Sequence, residues 1–202
     1  MRPFEIICAP MTVYVAEIGT VFPTLDEQPG QDWQLLGTNG ARSMDENGVT
    51  VSHSKSYSKI RSAGATGPIK AELEQEDLMF RVNLLDLSFE GYQFALNGNI
   101  ITTTAAAQGT MAHKKIGLSQ SVGRTREFAL IARGLSPYDE ALPIQYCVPR
   151  CYDSGSPEPQ FRKGGTGASL QLELTALESL ADGVSEQERF GYILAGTEAA
   201  LP

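Results

Sequence analysis

Between Val49 and Ser62 the chain reads VTVSHSKSYSKIRS, an alternation of period two that an extended strand converts into two distinct faces. One face carries Thr50, Ser52, Ser54, Ser56, Ser58 and Ile60; the other carries Val49, Val51, His53, Lys55, Tyr57, Lys59 and Arg61. Neither is apolar enough to be buried along its whole length. A glycine-rich stretch, Ser62-Ala-Gly-Ala-Thr-Gly-Pro68, follows and lets the chain reverse into a second extended run, Ile69–Phe80. Residues 48–80 therefore predict a β-hairpin with arms of roughly 12–14 residues, about twice an average strand. On the returning arm Lys70, Glu72, Glu74 and Glu76 share one face, opposite Ile69, Ala71, Leu73 and Met79.

The remaining text favours short strands. Twenty glycines and eleven prolines in 202 residues supply many turns, with Asn39-Gly40 and Asp45-Glu-Asn-Gly48 reading as turn chemistry. Residues 11–18 read as a first strand, and 99–105, 126–133, 145–152, 169–177 and 189–196 as later ones. Leu170, Leu172 and Leu174 alternate with Gln171, Glu173 and Thr175. Trp33, the single tryptophan, is expected to anchor its segment to the core. Leu85, Phe89, Tyr92 and Leu96 recur at helical spacing and predict one short helix, about 86–97, whose apolar stripe docks on the core. Asp86 or Ser88 is its expected N-cap, Asn97-Gly98 its stop, and Gly91 the mark of a close backbone approach. With no repeat and no linker, residues 1–202 read as a single, mainly β domain.

Composition narrows the function. A 42% hydrophobic, 20% charged chain is that of a folded protein, and no apolar run is long enough to span a membrane as a helix. Glu5 interrupts the apolar N-terminus MRPFEIICAPMTVYVAEIG, which argues against a signal peptide. A net charge of −8 excludes general nucleic-acid binding through a basic field. Three cysteines build no disulfide framework and fit cytosolic synthesis. Cys147 and Cys151, with Cys8, His53 and His113, fall short of the two close ligand pairs that zinc takes. On one strand the two cysteines are expected half-buried on a common face. Gly164-Gly-Thr-Gly167 follows Arg162-Lys163 without opening a helix, so it reads as a loop and not a phosphate cradle. No nucleophile elbow is present, and Glu72, Glu74 and Glu76 stand side by side where paired catalytic carboxylates face each other. No catalytic residue, cofactor or metal is therefore expected.

A long hairpin with two wet faces makes physical sense in an assembly. Free sheet edges endanger a monomer, whereas sister copies can pair them around an axis and close a barrel with a water-filled lumen. Lumen positions must be polar, which makes Glu72, Glu74, Glu76, Ser52, Ser54 and Ser56 the candidates. Val51, Tyr57, Ile60, Ile69 and Leu73 are the candidates for contacts between subunits.

Ala9-Pro-Met-Thr-Val-Tyr-Val-Ala-Glu-Ile-Gly-Thr20, Trp33-Gln-Leu-Leu-Gly37, Asn47-Gly-Val-Thr-Val51, the hairpin and Leu85-Asp-Leu-Ser-Phe-Glu-Gly-Tyr-Gln-Phe-Ala-Leu-Asn97 follow one another in order. Over roughly residues 9–100 this text resembles the major tail tube proteins of long, non-contractile-tailed bacteriophages and related gene-transfer particles. The resemblance implies a β-sandwich or partial barrel with one flanking helix, and a hairpin that joins an inter-subunit barrel. It further implies hexameric rings stacked into a tube in the virion tail, made in the bacterial host cytoplasm. The partners would be sister subunits, a tape-measure protein, the tail terminator and distal tail proteins, with double-stranded DNA in transit. Loops and the N-terminal segment would make contacts between rings. Two other readings keep a similar fold: a surface module binding carbohydrate or a receptor through Tyr138, Tyr152 and Phe161, or a tube subunit of a secretion or contractile injection machine.

Overall fold

In the computed structural model of the chain, the described residues are 10–64, 66–119, 125–136, 142–161 and 168–196. The expected loop Gly164–Gly167, Cys8, Tyr138 and the segment before Pro10 lie outside them.

Antiparallel strands dominate. They are β1 (Thr12–Ala16), β2 (Gln34–Leu35), β3 (Met44–Ile60), β4 (Lys70–Leu84), β5 (Ile101–Thr104), β6 (His113–Ile116), β7 (Phe128–Leu135), β8 (Pro143–Asp153), β9 (Leu170–Ala176) and β10 (Tyr192–Ala195); helix α1 (Phe89–Ala95) follows β4. One sheet runs in the order β2-β1-β7-β8-β9-β4-β3, with β10 also on β8, while β5 and β6 pair by themselves. No helix among the described residues is long and apolar enough to cross a membrane.

The inner face of the large sheet builds the main core. Alternate positions on β9 (Leu170, Leu172, Leu174) and β4 (Leu78, Phe80, Val82, Leu84) meet Val13 and Val15 of β1 and Leu130 of β7. Each such side chain contributes roughly 1.5–3 kcal/mol when fully buried. The sheet curls around this core: the rings of Phe80 on β4 and Tyr146 on β8 meet edge to face at 5.6 Å, although β9 lies between their strands. β7 is buried on both sides, because Ala129 and Ile131 face a second cluster with Trp33. As expected, the indole anchors its segment; its Nε1 donates to the Val21 carbonyl at 3.2 Å and its ring meets Phe22 at 5.3 Å.

Three expectations require correction. The helix begins at Phe89, capped by Ser88, whose Oγ accepts from the Gly91 N–H at 3.0 Å. Its buried residues are Gly91, Phe94 and Ala95. Of the expected stripe, Leu96 is buried and Tyr92 packs partly on the core, but Leu85 and Phe89 are 48% and 40% exposed. Leu85 precedes the helix, and the small residues decide which way it turns. A Cβ on Gly91 would lie 3.6 Å from both Leu84 and Leu170, so the backbone itself approaches the sheet there. Phe94 fills the adjoining space against Phe128, with ring centroids 5.5 Å apart.

Cys147 and Cys151 are fully buried and do not share a face. The pairing of β7 with β8 shifts between Phe128 and Leu130, which breaks the alternation of β8. Cys151 enters the main core and donates to the Phe128 carbonyl at 3.3 Å, whereas Cys147 accepts from Gln145 Nε2 at 3.1 Å.

Asp45-Glu-Asn-Gly48 does not end a strand. It is an irregular stretch inside β3, where the pairing jumps from Met44↔Leu84 to Val49↔Val82. Asp45 pins it by accepting from Asn83 Nδ2 at 2.9 Å and from the Asn47 N–H at 3.1 Å.

Candidate assembly surface: the distal hairpin

β3 is the last strand of the sheet, and β4 is held by β9 only from Met79 to Leu84. Beyond that point the hairpin continues as a two-stranded ribbon, residues 53–60 on 70–78, with neither outer edge paired among the described residues. Nearly all of the ribbon is exposed or half-exposed, Leu78 at its base being the buried residue. Tyr57 is 52% exposed, Leu73 49% and Ile69 65%. Val51 differs from the other expected contact residues, since it packs against this chain's own core.

Residues paired directly across an antiparallel ladder share a face, so the register assigns every side chain. Ser56 opposes Gln75, but the next pair is Tyr57↔Leu73. Glu74 is thus an extra residue, a β-bulge that reverses the alternation of β4. Glu72, Glu74 and Glu76 therefore do not form one stripe. Glu72 joins the serine face opposite Ser58, while Glu76 lies on the other face opposite Lys55.

The serine face carries Ser52, Ser54, Ser56 and Ser58 on β3 and Met79, Asp77, Gln75 and Glu72 on β4. Ser54 Oγ reaches Asp77 at 3.5 Å. Its cations are each matched by a carboxylate: Lys70 to Glu72 at 2.7 Å and, nearer the body, Arg81 to Glu173 at 2.8 Å. Ile60 ends this face, opposite Lys70. The second face extends the core face of the sheet outward, from Val51 and Phe80 through His53 and Leu78 to Tyr57 and Leu73. It carries Lys55, bound to Glu76 at 3.3 Å, and Lys59, which has no ion-pair partner among the described residues. Exposed pairs of this kind contribute little stability, about 0–1 kcal/mol each; here they decide which charges remain uncompensated.

Two further surfaces adjoin this frame. A cleft of about 670 Å³ opens between the second face of the ribbon, at Leu73–Glu76, and residues 186–191. An apolar groove of about 290 Å³ beside α1 is lined by Phe89, Tyr92, Leu118 and Phe161; the sequence signal for it was the exposed half of the supposed core stripe. Of the aromatics considered for a ligand-binding surface, Phe161 lines that groove, and Tyr152 is half-buried within β8.

No protein-family model matches the chain, and no curated protein matches it.

Proposed function

We propose that this chain is a structural subunit of a virion tail tube. Copies pair their distal hairpins edge to edge, close a barrel around a water-filled bore in hexameric rings, and stack the rings into a conduit for double-stranded DNA. The reading carries over the sequence resemblance to tail tube proteins, and with it a tape-measure protein, terminator and distal tail proteins as partners. It places the chain's synthesis in the cytoplasm of a bacterial host. The observation that carries it is the distal ribbon: long, unpaired at both edges among the described residues, and exposed with polar side chains on both faces.

The register favours the serine face as the wall of the bore. Hydroxyls hydrate well, and every lysine or arginine on that face already has a carboxylate, so no uncompensated cation is left to hold a phosphate. The second face carries the apolar Tyr57 and Leu73 and is suited to packing against subunit bodies. The acidic wall expected from three glutamates thus becomes a hydroxyl wall edged by Asp77 and Glu72. Ser54→Lys with Ser56→Lys is the test. Particles carrying both substitutions are expected to assemble but to release DNA more slowly, with the defect relieved by added salt. Release at the unsubstituted rate at every salt concentration would overturn the assignment of this face.

A further inference from the structure

Residues 99–119 form a second projecting arm. β5 and β6 pair from Ile101↔Ile116 to Thr104↔His113, and a tight turn at its tip is closed by the Ala107 and Thr110 backbones at 3.1 and 2.9 Å. Lys114 braces the arm on α1 through Glu90 at 2.5 Å. Lys115 lies on the opposite face of the arm, across from Thr102, and has no ion-pair partner among the described residues. Met111 is 86% exposed. The whole arm contains Lys114, Lys115 and His113 and no acidic residue.

The cleft between the ribbon's second face and residues 186–191 has the opposite character. Leu73 and Phe190 contribute to its apolar lining, and Glu74, Glu76, Glu178 and Glu186 stand around it, with Arg189 the cation among the lining residues and Lys55 bound to Glu76 at 3.3 Å. Arg189 is shared between Glu178 at 3.5 Å and Glu186 at 3.8 Å, while Glu74 has no ion-pair partner among the described residues.

No described residue of the arm lines this cleft within the same chain. The arm stands on α1, which lies over Leu84 at one end of β4. The cleft lies beyond Leu78 toward the other end, about 27 Å away from Leu84 to Glu76 at about 3.4 Å per residue. A basic, apolar-tipped finger at one end and an acidic, apolar-lined cleft at the other make a contact that one copy cannot satisfy and two copies can. We propose that the β5–β6 arm of one copy docks in this cleft of the next, with Lys115 directed to Glu74 and Glu186 and Met111 seated against Leu73. The contact is heterologous, so it propagates from copy to copy, and opposite charges fix its polarity. It rests on the self-assembly proposed above.

Zero-length carbodiimide cross-linking of a mixture of isotope-labelled and unlabelled protein tests it. Mass spectrometry is expected to find mixed-isotope links from Lys115 to Glu74 or Glu186. Lys115→Glu is expected to raise the critical concentration for assembly roughly tenfold, and adding Glu74→Lys and Glu186→Lys to restore it. Lys115→Arg is expected to assemble normally. Assembly with the arm linked elsewhere, or without rescue by the reversed pair, would overturn the docking and leave the tube reading standing. Failure of the unsubstituted protein to associate at any concentration would overturn both.

Discussion

Asp86 holds together the junction where β4 ends and α1 begins. Its Oδ2 accepts from both the backbone N–H of Thr38, at 2.6 Å, and the Thr38 hydroxyl, tying the loop before β3 to the helix entry. Burial alone would raise its pKa, but the Thr38 hydrogen bonds outweigh that and hold it below the ordinary aspartate value. A depressed carboxylate stabilises the fold above the unfolded-state pKa of about 3.9, and that contribution disappears as pH falls through the lower folded value. Asp86→Asn is expected to cost about 1–2 kcal/mol at pH 7, a fall in Tm of roughly 2–8 °C. Melts repeated at decreasing pH are expected to narrow the gap between the two proteins progressively from about pH 4 downward; a gap that stays constant to about pH 3 would contradict this role. The cysteines make a second expectation at this scale. Burial pushes the Cys147 thiol up and the Cys151 thiol well above its usual range, and thiolate is the reactive form. Both are expected to resist alkylation in the native protein and to react on unfolding; alkylation of either in the native state would show that β8 is not buried as described.

Among the elements, the hairpin divides into two energetic regimes. From Val49↔Val82 to His53↔Leu78 it belongs to the body, because β4 is hydrogen-bonded to β9 from Met79 inward and Val49, Val51, Leu78, Phe80 and Val82 pack in or against the core. Beyond, it buries little and contributes little to the stability of a single copy. Excising Ser54–Asp77 and joining His53 to Leu78 through Asn-Gly, a sequence suited to a two-residue hairpin turn, is expected to leave Tm within a few degrees and to abolish assembly. A large loss of Tm would mean the ribbon supports its own body instead. The length and wetness of this hairpin were legible in the sequence because serine alternation has no helical counterpart, and β9 was legible for its leucine alternation. The bulge was not: Lys70, Glu72, Glu74 and Glu76 keep strict period two, and nothing local marks Glu74 as the residue β3 leaves unopposed. Helix α1 was legible in place but not in orientation, since spacing favoured large apolar residues while close approach selected Gly91 and Ala95. β6 escaped because His113-Lys-Lys-Ile116 carries no apolar alternation; its only signal is pairing with β5.

At the scale of the whole molecule, the curled sheet, the ribbon and the second arm place free edges and opposite charges at separate ends of the chain. A body of this kind satisfies its own core and leaves the edges of its longest element unpaired among the described residues, which is what the proposed assembly needs. The most direct measurement is electron microscopy of the purified protein across rising concentration, with the excised-hairpin protein beside it. The expected result is closed rings, or stacks of rings, whose axial channel is walled by the distal hairpins, and none from the excised protein. Single-copy particles throughout, or rings whose channel is walled by another part of the chain, would contradict the account.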